Sequence, residues 1–242
     1  MKKTILLAVL AIASITFNAC YNSNASSAQK EIISFYKVPI VCSADPDIGC
    51  GSRSKPALLE LEKNPSVKEA WLNREGTILA IVWKNKDETE TVAKPIFNEN
   101  NIDFTELSEK DAVSYKENFR KENRWYRGAN VDMLSREEAA TIAESSVKWA
   151  LENNLVTKDE AEKIKNDVQA YFKEELVKIR TSEQLSEDSQ NKFREALYGI
   201  VEKHIGQDRA EKALELYEKN CEKQDRKNGT GTGAKKDCCK KN

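Results

Sequence analysis

Val67–Asn73 (VKEAWLN), Arg74-Glu75-Gly76 and Thr77–Trp83 (TILAIVW) decide how the first half of the chain is read. The first run alternates apolar and polar residues with period two, the pattern of a half-buried strand. The last is a nearly continuous apolar strand. The residues between them form a turn, so the three stretches predict a β-hairpin. Upstream, Ser54–Lys63 (SKPALLELEK) predicts a helix, with Pro56 near its start and Leu58, Leu59 and Leu61 facing a core. Asn64-Pro65 stops it. Before that helix, Phe35–Val41 (FYKVPIV) is rich in strand formers, with Pro39 marking an edge or a strand start. The polar loop Cys42–Ser52 (CSADPDIGCGS) joins the two. Downstream, Glu88–Asn98 (ETETVAKPIFN) predicts a second helix that Pro95 kinks or shifts, and Ile102–Leu107 (IDFTEL) a last strand.

The order strand, helix, strand, strand, helix, strand over residues 33–108 predicts a ferredoxin-like βαββαβ domain. Residues 109–134 read as a charged connector, in which Trp125-Tyr126-Arg127-Gly128 packs against the helices beyond it. From Ser135 the pattern turns helical. Ser135 with Glu138, and Thr157 with Glu160, have the spacing of a capping box and mark two helix starts. Helices are predicted at 136–152, with Ala139, Ala143 and Val147 inward, and at 158–180, with Ile164, Val168, Phe172, Leu176 and Ile179 inward. Two more are predicted at 187–205 and 207–222, with Gly206 between them; His204 and Cys221 lie on their apolar stripes. Short links make neighbouring helices antiparallel. The fold class expected is therefore α+β: a ferredoxin-like domain at 33–108, then a small all-α bundle at 135–222.

Composition narrows the function. The 242 residues are 33% charged and 39% hydrophobic, with a formal net charge of −1. A general nucleic-acid binder carries a basic excess that is missing here. One histidine excludes sites built on several imidazoles. No phosphate-binding glycine loop, nucleophile elbow or assignable carboxylate pair is present, so no enzymatic activity is expected. Residues 1–19 carry Lys2 and Lys3 and then the apolar run Ile5–Ile15, the layout of a secretory signal. Phe17-Asn18-Ala19-Cys20 ends that signal in the manner of a bacterial lipobox, which makes Cys20 the lipidation site and residues 20–32 a tether. The expected location is the bacterial cell envelope, held to the membrane by a lipid anchor and facing the periplasm or the outside.

Leu58-Leu59-Glu60-Leu61, Asn64-Pro65-Ser66-Val67-Lys68-Glu69-Ala70-Trp71-Leu72-Asn73 and Gly76–Trp83 together resemble the heavy-metal-associated domains of copper chaperones and periplasmic mercury-binding proteins. The resemblance covers residues 33–108. It implies a soft metal ion, Cu(I), Hg(II) or Zn(II), held by cysteines in the loop between the first strand and the first helix. Cys42 and Cys50 occupy that loop, but seven residues separate them where the family has two. The residues themselves add a physical case. Cys50 precedes a helix N-terminus and has Arg53 close by, both of which favour the thiolate that soft metals bind. Asp45 and Asp47 are not followed by the acidic series of a calcium loop.

Cys238 and Cys239 sit in a tail at 223–242 that is rich in Gly, Thr and Lys, which suits a mobile metal donor or acceptor. The alternative is a structural or interaction lipoprotein in which Cys42 and Cys50 form a disulfide and the helices dock an envelope partner. Thiol–disulfide exchange by Cys50 is a third reading, disfavoured by the spacing.

Overall fold

The computed structural model describes residues 31–85 and 89–227, with side chains at 89, 90, 218 and 220–227 outside that description. The signal expected at 1–19, the expected lipidation site Cys20, the side chain of Cys221 and the tail cysteines Cys238 and Cys239 all lie outside the described residues.

Strands β1 (Ile32–Lys37), β2 (Val41–Cys42) and β3 (Asp45–Gly49) lead into helix α1 (Gly51–Lys63). Strands β4 (Val67–Asn73) and β5 (Ile78–Trp83) form the predicted hairpin, followed by α2 (Thr89–Glu99), β6 (Thr105–Glu106), α3 (Val113–Asn118) and β7 (Trp125–Arg127). Helices α4 (Val131–Glu152), α5 (Lys158–Lys178), α6 (Glu187–Ile205) and α7 (Gln207–Lys227) complete the described chain. The architecture is α+β. An antiparallel five-stranded sheet runs in the order β6-β1-β5-β4-β7, and β2 and β3 form a separate two-stranded hairpin.

Every residue of β5 is buried. Because side chains alternate across a strand, this requires both faces of the sheet to be covered. Leu79, Ile81 and Trp83 face one core with Tyr36, Leu58, Leu61 and Phe97, beneath α1 and α2. Ile78 and Ala80 face the opposite side with Phe35, Trp125, Tyr115 and Phe119. The second cover comes from the segment expected as a connector. Within 109–134, α3 and Phe119 lie on the outer face, and β7 extends the sheet by pairing Trp71 with Arg127 and Asn73 with Trp125. The outward apolar residues of β1 and β5 need burial, and this stretch supplies it.

Two other expectations shift. The first strand ends at Lys37, because Val41 and Cys42 turn away to pair with β3. Helix α4 begins at Val131, so Ser135 and Glu138 are not a capping box; both lie inside the helix and are buried. Val131 and Leu134 are fully buried, and their packing draws the helix one turn earlier than the local motif suggests. By contrast, the Thr157–Glu160 capping box is formed, with Glu160 N donating to Thr157 Oγ1 at 3.3 Å and Thr157 N donating to Glu160 Oε2 at 2.8 Å. Ile164, Val168, Phe172 and Leu176 line the core that α5 shares with α4 and α6. Gly206, at φ +80°, makes the break between α6 and α7.

Helix α1 is buried on two sides. Ala57, Leu58 and Leu61 face the sheet, whereas Gly51 and Lys55 face α4 and α5. Lys55 is fully buried. Its Nζ lies 2.6 Å from Asp132 Oδ1 of α4 and donates to the Leu176 carbonyl of α5 at 2.9 Å. Arg180 grips the same Asp132 through both carboxylate oxygens at 2.9 Å. These partners, Arg180 first, hold the Asp132 pKa down from 3.8 to about 2.

Removing one member of a buried pair strands the other. Asp132→Ala is therefore expected to lose about 3–5 kcal/mol in urea denaturation at neutral pH, and adding Lys55→Met should recover most of it. The Asp132 carboxylate is depressed on folding, so its contribution of about 2 kcal/mol is present above its ordinary value and lost as the pH falls through about 2. Stability curves between pH 5 and pH 2 should be flatter for Asp132→Asn than for the natural chain; equal slopes would show that the clamp contributes nothing.

Candidate functional site

Cys50 is the N-cap residue of α1, in extended conformation and with no side-chain cap of its own. Its Sγ donates to Glu138 Oε1 of α4 at 2.9 Å and lies 3.3 Å from Ser52 Oγ. Glu138 also accepts from the Ser52 backbone N–H at 3.2 Å and from the Ser52 hydroxyl at 3.3 Å. A carboxylate from a helix distant in sequence thus serves the first turn of α1. The match is chemical: free N–H groups and the positive end of the helix dipole favour an anion there. Gly51 permits the approach, since a Cβ at that position would lie 2.5 Å from Ser135 N.

Cys42 stands on β2, only 5% exposed, in the core cluster beside which Cys50 packs. The intervening residues fold back as the β2–β3 hairpin, with Val41 opposite Gly49 and Cys50 N donating to the Ile40 carbonyl at 2.8 Å. The hairpin therefore brings the two ends of the loop, Val41 and Gly49, opposite each other, with Cys42 facing Asp45. Asp45 Oδ1 accepts from Asp47 N at 2.8 Å and shapes the hairpin tip. Ser145 Oγ of α4 donates to the Ala44 carbonyl at 3.0 Å and ties that tip down. Both cysteines are free thiols, not the bridged pair of the alternative reading; Cys42 is turned into the core while Cys50 is turned to Glu138.

The expectation of a Cys50 thiolate is corrected. Burial pushes the Cys50 thiol well up, and the Glu138 charge and hydrogen bond add to it. Burial likewise raises Cys42 to about 11, again with Glu138 contributing. Arg53 does not offset this, because its guanidinium reaches the Pro39 and Asn101 carbonyls instead. Glu138 itself is 3% exposed, and burial raises its pKa against the opposing pull of its hydrogen bonds. Desolvation is the largest influence at all three groups.

Glu138 is the residue of this candidate site that sequence reasoning missed as such. A signal existed: Val131, Leu134, Glu138 and Ile142 recur at three- and four-residue spacing, so an acid stands on an otherwise apolar stripe. His204 sits at the α5–α6 boundary with Nε2 2.9 Å from Asp167 Oδ2, as its place on the stripe suggests. Among the described residues, no group of three or more His, Cys, Asp and Glu side chains is placed to hold a metal ion. What the site offers is one thiol, Cys50, held at a carboxylate, and a second, Cys42, in the core cluster against which Cys50 packs.

Replacing Glu138 by Leu should orphan the Ser52 donors and cost about 1–3 kcal/mol in urea denaturation. With its pKa raised from 9.0 to about 11, Cys42 should be alkylated at neutral pH about a hundredfold more slowly than in the unfolded chain. Peptide mass spectrometry after timed iodoacetamide exposure measures this. Equal rates in folded and unfolded chain would show that the thiol is not protected.

Comparison of the chain with protein-family models, with curated proteins and with solved structures finds no match.

Proposed function

We propose that this is a lipid-anchored protein of a bacterial cell envelope that binds a soft metal ion through Cys42 and Cys50 and catalyses no bond-making reaction. The observation that carries the reading is the hairpin pairing of Val41 with Gly49, which folds back the extra loop residues between the free thiols Cys42 and Cys50. The strand order β6-β1-β5-β4, with α1 and α2 over one face, supports a ferredoxin-like domain to which the β2–β3 hairpin and β7 are additions. On that reading the wide cysteine spacing is an insertion into the metal loop, not the loss of the site.

The metal is cargo. Binding requires both thiols to lose their protons, so uptake is coupled to proton release. Cys42 and Cys50 supply the sulfur, while Ser52 and Glu138 orient Cys50. The tail pair Cys238 and Cys239 is the exchange partner, raising the local thiol concentration near the first pair.

The test isolates the two thiols. In a chain with Cys20, Cys221, Cys238 and Cys239 changed to Ser, titration with Hg(II) or Cu(I) against a competing thiol should show one equivalent bound. Adding Cys42→Ser and Cys50→Ser should abolish it, and binding that survives these changes would overturn the assignment. Restoring Cys238 and Cys239 should speed uptake from the thiol buffer without changing affinity at the first pair.

A further inference from the structure

The stretch Ser108–Asn123 lies over the outer face of the sheet and is held there by few groups. Helix α3 has no buried residue. The packing comes from Ala112, Tyr115 and Phe119, which close over Phe35, Ile78 and Ala80. Backbone hydrogen bonds from Ser108 to Asn123 stay inside the stretch, and the sheet takes up the chain again only beyond its ends. There Leu107 N donates to the Phe35 carbonyl at 2.8 Å, and Arg74 N donates to the Arg124 carbonyl at 2.8 Å. Ser108, Asp111, Asn118 and Lys121 use their side chains within the stretch. Among the described residues, its polar contacts with the rest of the chain all come from one side chain, Arg120.

We propose that Ser108–Asn123 is a lid on the sheet, opening and closing as a unit between hinges at Leu107 and Arg124, with Arg120 as its latch. The inference is independent of the metal-binding reading above.

The latch crosses the central strand. The Arg120 guanidinium donates to Glu31, just before β1, at 2.8 Å and to Glu69 of β4 at 2.9 Å, and β1 and β4 flank β5. It also lies 4.8 Å from the centre of the Phe119 ring and 5.9 Å from that of Trp71. The Arg120 backbone has φ +61°, a left-handed conformation that is costly for a residue with a Cβ and persists where the surroundings over-determine it. Asn123, at φ +58°, leads into the second hinge, and asparagine adopts that region more readily. Opening therefore releases strain at the latch while its ion pairs and ring contacts are lost. It bares Phe35, Ile78 and Ala80, an apolar face otherwise hidden from water. Segments with few buried contacts open at much lower free energy than the whole fold. The Arg120, Glu31 and Glu69 side chains are partly exposed, so salt weakens their pairing, which it does not do to apolar burial. Salt should thus open the lid without loosening the core beneath α1.

The experiment places a thiol on the covered face by Ala80→Cys and uses Cys42, in the core on the other side of the sheet, as internal reference. Iodoacetamide labelling of both is followed by peptide mass spectrometry, each rate being taken relative to the unfolded chain. The thiol at position 80 should label at least about tenfold faster than Cys42. Raising NaCl from about 0.05 M to about 1 M should speed it roughly three- to tenfold and leave Cys42 unchanged. Arg120→Met, which keeps an apolar stem without the charge, should bring the low-salt rate up to the high-salt one and remove the salt dependence. Ile78→Cys reports on the same face should Ala80→Cys fail to fold. Equal rates on the covered face and at Cys42 mean that the face opens only with the whole fold, which overturns the lid. Faster labelling of the covered face that responds neither to salt nor to Arg120→Met overturns the latch.

Discussion

Helix α1 has to be buried on two sides at once, and the rest of the structure is arranged around that constraint. Its sheet side is apolar and needs only volume, supplied by Ala57, Leu58 and Leu61. Its other side carries Ser52 and Lys55, polar groups that are costly to bury without partners. Both partners come from α4, with Asp132 for Lys55 and Glu138 for Ser52 and Cys50. The two acids are six residues apart, a rise of roughly 9 Å along the helix, so they meet α1 at two separate points. One pin would allow α4 to pivot. Two fix its register, since any slide leaves a buried charge facing apolar surface. Buried ion pairs add little net stability compared with apolar packing, but breaking one is expensive. The pins therefore determine where α4 sits more than how tightly it is held.

The sheet shows the complementary solution, in which burial is achieved by apolar surface on both faces. Phe35, Ile78 and Ala80 turn away from α1, and Tyr115, Phe119 and Trp125 close over them with edge-on ring contacts between Phe35, Phe119 and Trp125. Arg120 fastens this cover through Glu31 and Glu69 at the surface. These exposed ion pairs are worth little individually; the aromatic burial is the larger part.

Much of this was legible in the residues. Val67–Asn73 and Glu187–Ile205 fall where periodicity and end signals place them, and the Thr157 cap is where its motif puts it. Those elements are decided locally, by one amphipathic face and its ends. What local reading mistook was decided by distant partners. Ser135 and Glu138 have capping-box spacing, yet the helix starts earlier because Val131 and Leu134 fill a core built by residues far upstream. The connector looks polar because its charged residues outnumber the four aromatics that pack, Tyr115, Phe119, Trp125 and Tyr126. The continuous apolar run Ile78–Trp83 was the clue that a second cover had to exist, since a strand exposed on one face has no need of it.

The same contrast governs the chemistry of Cys50. Sequence places it at a helix N-terminus beside an arginine, and each of those influences favours a thiolate by up to about 1–2 kcal/mol when geometry is good. Burial acts the other way, and each pKa unit it adds is about 1.4 kcal/mol, with several units within its reach. The arginine is engaged by backbone carbonyls, and a carboxylate takes the place facing the sulfur. The outcome is a pair of protonated thiols packed under a helix, not an open reactive pair. Such a pair is poorly disposed to attack disulfides, for which thiolate character is required. Burial disfavours the bare thiolate here because it leaves a charge without water around it, and it outweighs every influence the local sequence offers in the other direction.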